Sequence, residues 1–136
     1  MNRHQLREHL FKLLYLQEFF KGEELEEQIS MYFTFGEGFR DDEILALSSR
    51  LKKVNEHIEE IDAKISATAR GWKLERMSKV DLSILRLGIY ELLFDDSIPE
   101  KVAINEAVEI SKTYGGEDTS SFINGILGEL SRSVDE

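Results

Sequence analysis

Cysteine is absent from the 136-residue chain, proline occurs once and glycine nine times. Without thiols there is no disulfide scaffold, no thiolate nucleophile and no zinc site built on sulfur. So few turn-forming residues argue against a sandwich or barrel of many short strands and for long helices. No apolar run approaches the roughly 18 residues that cross a bilayer, and the first twenty residues lack the basic start, apolar run and small-residue cleavage site of a secretory signal. An intracellular, soluble protein is the expectation. A composition that is 41% hydrophobic and 10% aromatic is enough for one ordinary domain with a real core.

Positive charge is the other scarcity. There are 17 basic and 27 acidic residues, a net charge of −10, which by itself discourages a nucleic-acid partner. The distribution qualifies that total: +1 over residues 1–20, −7 over 21–62, +1 over 63–98 and −5 over 99–136. Arg3, Arg7 and Lys12 lie in the first segment together with His4 and His9. A polyanion is expected to meet the first helix and to avoid the next two.

Apolar spacing places that first helix over Arg3 to Phe20, with Leu6, Leu10, Leu13, Leu14 and Phe20 in one stripe. A second helix is expected from Glu23 to Phe33, burying Leu25, Ile29, Tyr32 and Phe33, and ending before Gly36 and Gly38. Asp41 or Asp42 is the expected cap of the third. From Ile44 through Leu47, Leu51, Val54, Ile58 and Ile61 to Ile65 the steps alternate three and four, the seam of one long helix. That seam suits a homodimeric coiled coil or an intramolecular bundle, and the bundle is preferred. Ser78 and Asp81 form a capping pattern ahead of a stretch from Val80 that is apolar on nearly every face, the expected central helix. Gly88 within it points to the close approach of a neighbour. Pro99 starts a helix ending near Tyr114, and Thr119 or Ser120 is the expected cap of a last helix carrying Ile123, Ile126, Leu127 and Leu130. The sum is an all-α chain of six or seven helices.

Enzyme signatures are missing: there is no P-loop, no GxGxxG, no HExxH and no nucleophile elbow. His4 and Glu8 stand one turn apart, but two ligands do not make a metal site. What remains is the outer face of the first helix, where Arg7, Phe11 and Tyr15 follow at i, i+4 and i+8, with His4 and Arg3 beside them. Guanidinium groups neutralise phosphates while unpaired bases stack on aromatic rings, so this pattern suits single-stranded RNA. Placement of Phe11 and Tyr15 on a second buried face explains them equally well, and Phe122 poses the same choice.

Longer motifs carry a resemblance. R-x-x-x-R-E-x-x-x-x-x-L-Y from Arg3 to Tyr15, V-D-x-x-I-L-R-L-x-I-Y-E-L from Val80 to Leu92, I-P-x-K-V-A-I-N-E-A-V-E-I-x-K-x-Y-G from Ile98 to Gly115 and D-x-x-x-F-I-N-G-I-L from Asp118 to Leu127 resemble the NusB family of bacterial transcription antitermination factors. The resemblance implies two packed helical bundles, subdomains of about 1–70 and 71–136 within a single RNA-binding domain. It implies a cytoplasmic protein that works without catalysis, cofactor or metal. Its implied partners are the ribosomal protein NusE, boxA-type single-stranded RNA of nascent ribosomal transcripts and, through them, the elongation complex. Carried over by position, Arg3, Arg7, Tyr15 and Phe122 would contact RNA, and Asp118 would stand near it as an opposing charge. Asp81, Tyr90 and Glu91 would serve the ribosomal-protein partner. Many members begin with three or more arginines where this chain has Arg3, His4 and Gln5, so RNA binding by the isolated chain is expected to be weak and partner-dependent. The competing reading is a helical protein-interaction scaffold that never touches RNA.

Overall fold

The computed structural model describes residues 1–135, with side chains through Ser133. All regular structure among them is helical: α1 (Arg3–Leu16), α2 (Gly22–Phe35), α3 (Asp41–Glu56), α4 (Ile58–Thr68), α5 (Lys79–Phe94), α6 (Glu100–Tyr114) and α7 (Thr119–Asp135), with a short 3-10 turn at Leu74–Arg76. The chain divides into two compact units, Met1–Asn55 and the residues from Glu56 onward. The division thus falls well before residue 70, where the sequence suggested it. The reason is that α4 packs on α5 and α7, with Ile61 and Ile65 fully buried.

In the first unit, α1 opens with a reciprocal capping box. Asn2 Oδ1 accepts from the Gln5 N–H at 2.8 Å, and Gln5 Oε1 accepts from the Asn2 N–H at 2.9 Å. Leu10, Phe11, Leu13 and Leu14 of α1 are buried, as are Leu47, Leu51 and Val54 of α3. Helix α1 stops at Leu16 instead of reaching Phe20. The N–H groups of Glu18 and Phe19 turn back to Tyr15 and Leu16, and Gln17 exchanges two side-chain hydrogen bonds with Asn55, at 2.8 and 3.1 Å. The buried set expected on α2 is only half-buried.

At the start of α3 one of the two expected capping aspartates does other work. Asp42 holds the Arg40 guanidinium at 3.0 and 3.1 Å, and the buried Glu43 accepts from the Arg40 N–H at 2.9 Å and from the Met1 ammonium at 2.7 Å. These bonds, the ammonium's first and the Arg40 N–H next, hold the Glu43 carboxyl below the ordinary glutamate pKa. A carboxylate whose folded pKa is depressed adds stability above its unfolded pKa and loses it as pH falls through the folded one. Wild-type protein should therefore lose stability below the ordinary glutamate range more steeply than Glu43→Gln does. Thermal melts across acid pH check this; parallel curves would remove Glu43 from the role.

The seam from Ile44 to Ile65 is not one helix. It breaks at His57 (φ −105°, ψ 8°), whose ring stacks on Phe94 with centroids 4.1 Å apart and planes 14° off parallel. Leu47, Leu51, Val54, Ile61 and Ile65 are buried by the chain itself, so the seam is consumed internally and no longer argues for a second copy.

In the second unit, α5 is the central helix, packed on α4, α6 and α7, with Ile84, Leu85, Leu87 and Ile89 at 1% exposure or less. Ser78 Oγ accepts from the Asp81 N–H at 3.0 Å, the cap the sequence indicated. A half-buried Arg86 reaches Asp62 of α4 through two parallel bonds of 2.9 and 3.0 Å, a pairing that sequence spacing did not suggest. Gly88 meets α6 and α7: a Cβ there would lie 2.9 Å from Leu127 Cδ1 and 3.3 Å from Ala107 Cβ. The two expected caps of α7 turn elsewhere, Thr119 Oγ1 accepting from the Gly116 N–H at 3.0 Å and Ser120 Oγ sharing a 2.8 Å bond with Ser111 Oγ. No helix among the described residues is long and apolar enough to cross a membrane.

Candidate nucleic-acid interface

Helix α1 distributes its charged and aromatic side chains unevenly. Arg3 is exposed and Arg7 half-buried, while His4 Nε2 lies 2.8 Å from Glu8 Oε1 one turn on, so that ring is engaged within the helix. Phe11 and Tyr15 part company: Phe11 is 3% exposed and Tyr15 36%. At about 100° per residue Phe11 sits between Arg7 and Tyr15, roughly 40° from each, and the buried arc that includes His9, Leu10, Leu13 and Leu14 is wide enough to take it in. The outward ring next to Tyr15 is instead Phe19, 54% exposed, with its centroid 5.0 Å away in an edge-on contact. Sequence reasoning missed Phe19 because it assigned Phe20 to the apolar stripe of a longer helix. Its position four residues after Tyr15 was the available signal.

His9 is a second correction. Counted from sequence among the cationic resources of the first helix, it is buried; its Nδ1 pairs with Tyr32 Oη, its Nε2 lies 3.4 Å from a Glu37 carboxylate oxygen, and its ring meets Phe39 edge-on at 4.8 Å. His9 clamps α1 to α2 and its following loop beside an open cleft of about 390 Å³, whose lining includes Lys12, Leu16, Met31 and Phe35. No group of three or more potential metal ligands stands together among the described residues.

On the second unit, Phe122 of α7 is half-buried, its ring 5.7 Å from that of Trp72, and its N–H donates to the Asp118 carbonyl at 3.1 Å. Asp118 is exposed, so a carboxylate stands one turn from the Phe122 ring. The partner residues on α5 divide. Asp81, in the first turn, is half-buried, whereas Tyr90 and Glu91 are 4% and 2% exposed. Tyr90 has the His57 ring beside it at 6.2 Å. Burial of this kind corrects the expectation that Tyr90 and Glu91 offer surface to a partner: they lie inside the unit, and only Asp81 reaches solvent. Expectation failed here because a helix packed on three neighbours leaves almost no outward face.

Comparison with known proteins matches this arrangement over nearly the full length. The NusB family model covers residues 4–132. The transcription antitermination protein NusB of Lachnoclostridium phytofermentans is 48% identical over 130 residues, 96% of this chain and 98% of that protein. Among solved structures, NusB of T. maritima has a TM-score of 0.85 at 36% identity, covering 97% of this chain and 92% of its own. A chain from the crystal structure of antitermination factors NusB and NusE in complex with double-stranded RNA has a TM-score of 0.81 at 26% identity, covering 98% and 99%. With the family model spanning residues 4–132 and a relative 48% identical over 96% of its length, the chain belongs to the NusB family.

Proposed function

We propose that this chain is a non-enzymatic transcription antitermination factor, which pairs with the ribosomal protein NusE and binds boxA RNA of nascent ribosomal transcripts, acting on the elongation complex in the cytoplasm. The observation that carries the reading is the outward placement of Arg3 and Tyr15, with Arg7 beside them, on α1, whose segment is among the few parts of a −10 chain with a positive balance. Cations recruit the phosphate backbone at long range, and rings add stacking once the bases are close. Asp81, at the accessible start of α5, is the residue through which the ribosomal protein engages this helix; Tyr90 and Glu91 support it from within.

The test is electrophoretic mobility of a short boxA-type RNA with this chain alone, with the ribosomal protein alone and with both. A strong shift is expected only with both, and a weak, salt-sensitive one with the chain alone, because so few phosphate contacts are available. A duplex of the same sequence serves as competitor, since the NusB–NusE relative was solved with double-stranded RNA. No shift in any lane would leave the scaffold reading in its place.

Asp118 supplies a prediction of opposite sign. Asp118→Asn removes an exposed charge next to the Phe122 face and should tighten RNA binding by up to about two-fold, with the gain shrinking as salt rises. Titrations at two ionic strengths measure it; unchanged or weaker affinity would move the RNA away from this end of α7.

A further inference from the structure

The sole tryptophan of the chain belongs to no helix and is not used by anything above. Trp72 lies between α4 and α5, 58% exposed, in the stretch Arg70-Gly-Trp-Lys-Leu-Glu-Arg76, which carries three cations against one carboxylate. An indole is the most costly side chain to leave in water on grounds of apolar area alone, and nothing local forces it outward. The loop that presents it is held by its own backbone: the Arg70 N–H donates to Thr68 O at 3.0 Å, the Trp72 N–H to Ala69 O at 3.1 Å and the Arg76 N–H to Lys73 O at 2.9 Å. Gly71 makes the turn at φ +81°, a backbone conformation that a residue with a Cβ adopts only under strain. The main chain that carries the ring is therefore set before any ligand arrives.

Its neighbour is an aromatic ring on a different helix. The Trp72 and Phe122 centroids are 5.7 Å apart with planes inclined by 58°, so Phe122 packs beside an indole that stays 58% exposed. Around the pair stand Arg70, Lys73 and Arg76, all exposed. Arg70 Nη2 approaches Glu129 Oε1 at 3.5 Å, with the arginine side chain 85% and the glutamate 42% accessible, a loose pairing that a phosphate can displace. Glu75, Asp118 and Glu129 are the opposing charges in the neighbourhood, which sets a limit on affinity and favours a ligand that adds stacking to its charge.

We infer that Trp72 and Phe122 form a base-stacking platform for single-stranded RNA, with Arg70, Lys73 and Arg76 as its phosphate contacts. Basic side chains interleaved with exposed rings are the combination that unpaired nucleotides require, and an uncharged apolar partner would have no use for the three cations. The inference rests on the RNA-binding reading and adds Trp72, with its three neighbouring cations, to the contact that reading already expects at Phe122.

Because the chain has one tryptophan, its own emission reports on the platform. Full-length chain is titrated with the boxA-type single-stranded RNA, with and without the ribosomal protein, while anisotropy of the labelled RNA follows binding independently; Trp72→Phe provides the blank. Stacking should quench the indole emission in step with the anisotropy rise. Trp72→Ala should weaken binding about ten-fold, and Trp72→Phe, which keeps a ring, should retain most of the affinity. Binding by anisotropy with unchanged emission and an unaffected Trp72→Ala overturns the platform while leaving RNA recognition by α1 intact. Equal losses in Trp72→Phe and Trp72→Ala overturn stacking as the cause. Quenching by the ribosomal protein without RNA assigns the surface to a protein and overturns the inference, and failure of RNA to bind under any condition ends both readings together.

Discussion

Replacing Gly88 with valine should cost about 3 kcal/mol of stability and lower the melting temperature by about 10 °C. The first added carbon already lies 2.9 Å from Leu127 Cδ1 and 3.3 Å from Ala107 Cβ, and Ala107 cannot move except with the backbone of α6. Leu127 could in principle swing away, but it is fully buried and a close-packed interior offers no vacant rotamer. Valine adds two further methyl groups in the same space, so α6 and α7 have to retreat from α5. Alanine at the same position sets the scale: its higher helix propensity, about 1 kcal/mol over glycine, opposes the first clash, and a smaller loss is expected. Thermal and urea melts of the two variants measure both. A valine variant as stable as wild type would mean that α5 does not approach its neighbours this closely.

Tyr15→Ala should weaken RNA binding by about ten-fold, equivalent to one lost base stack of about 1–3 kcal/mol, and leave the melting temperature nearly unchanged. The ring is 36% exposed, with the Phe19 ring centroid at 5.0 Å and that of Phe11 at 6.4 Å, so its removal is expected to open no cavity in the core. Phe11→Ala is the control on the same helix. A side chain at 3% exposure should take about 3–5 kcal/mol of stability with it, whatever it does to RNA. Titration of labelled RNA paired with thermal melts separates the two effects. A large drop in melting temperature for Tyr15→Ala, without a change in affinity beyond the unfolded fraction, would put the ring in the core and withdraw it from the RNA face.

The two rings show where sequence reading reaches its limit. Phe11 and Tyr15 are four residues apart on one helix, adjacent on its wheel and both compatible with either face. Which turns inward depends on the width of the arc that α1 buries, and that is a property of what packs against it. The same limit governs α5. Its apolar character on nearly every side announced a central helix, but this very character conceals which of Tyr90 and Glu91 would keep an outward side, and neither does. His57 is legible only in retrospect: the alternation from Ile44 to Ile65 continues through it without a gap, yet the helix breaks there and the His57 ring stacks on Phe94, a residue 37 positions away in sequence. Trp72 faces solvent beside Phe122, and nothing in its neighbouring residues marks either feature.

From composition and local pattern alone came the all-α class, the approximate extent of most helices, the Ser78 cap, the close approach at Gly88 and the segment of positive balance at the amino terminus. Each depends on interactions among residues a few positions apart, or on a side chain whose absence is itself the message. The tertiary structure decided the division at Asn55, the inward turn of His9 and Phe11, the Arg86–Asp62 pair and the meeting of Trp72 with Phe122. These are settled by which helices neighbour one another, and burial is a property of the assembled pack that no single helix encodes.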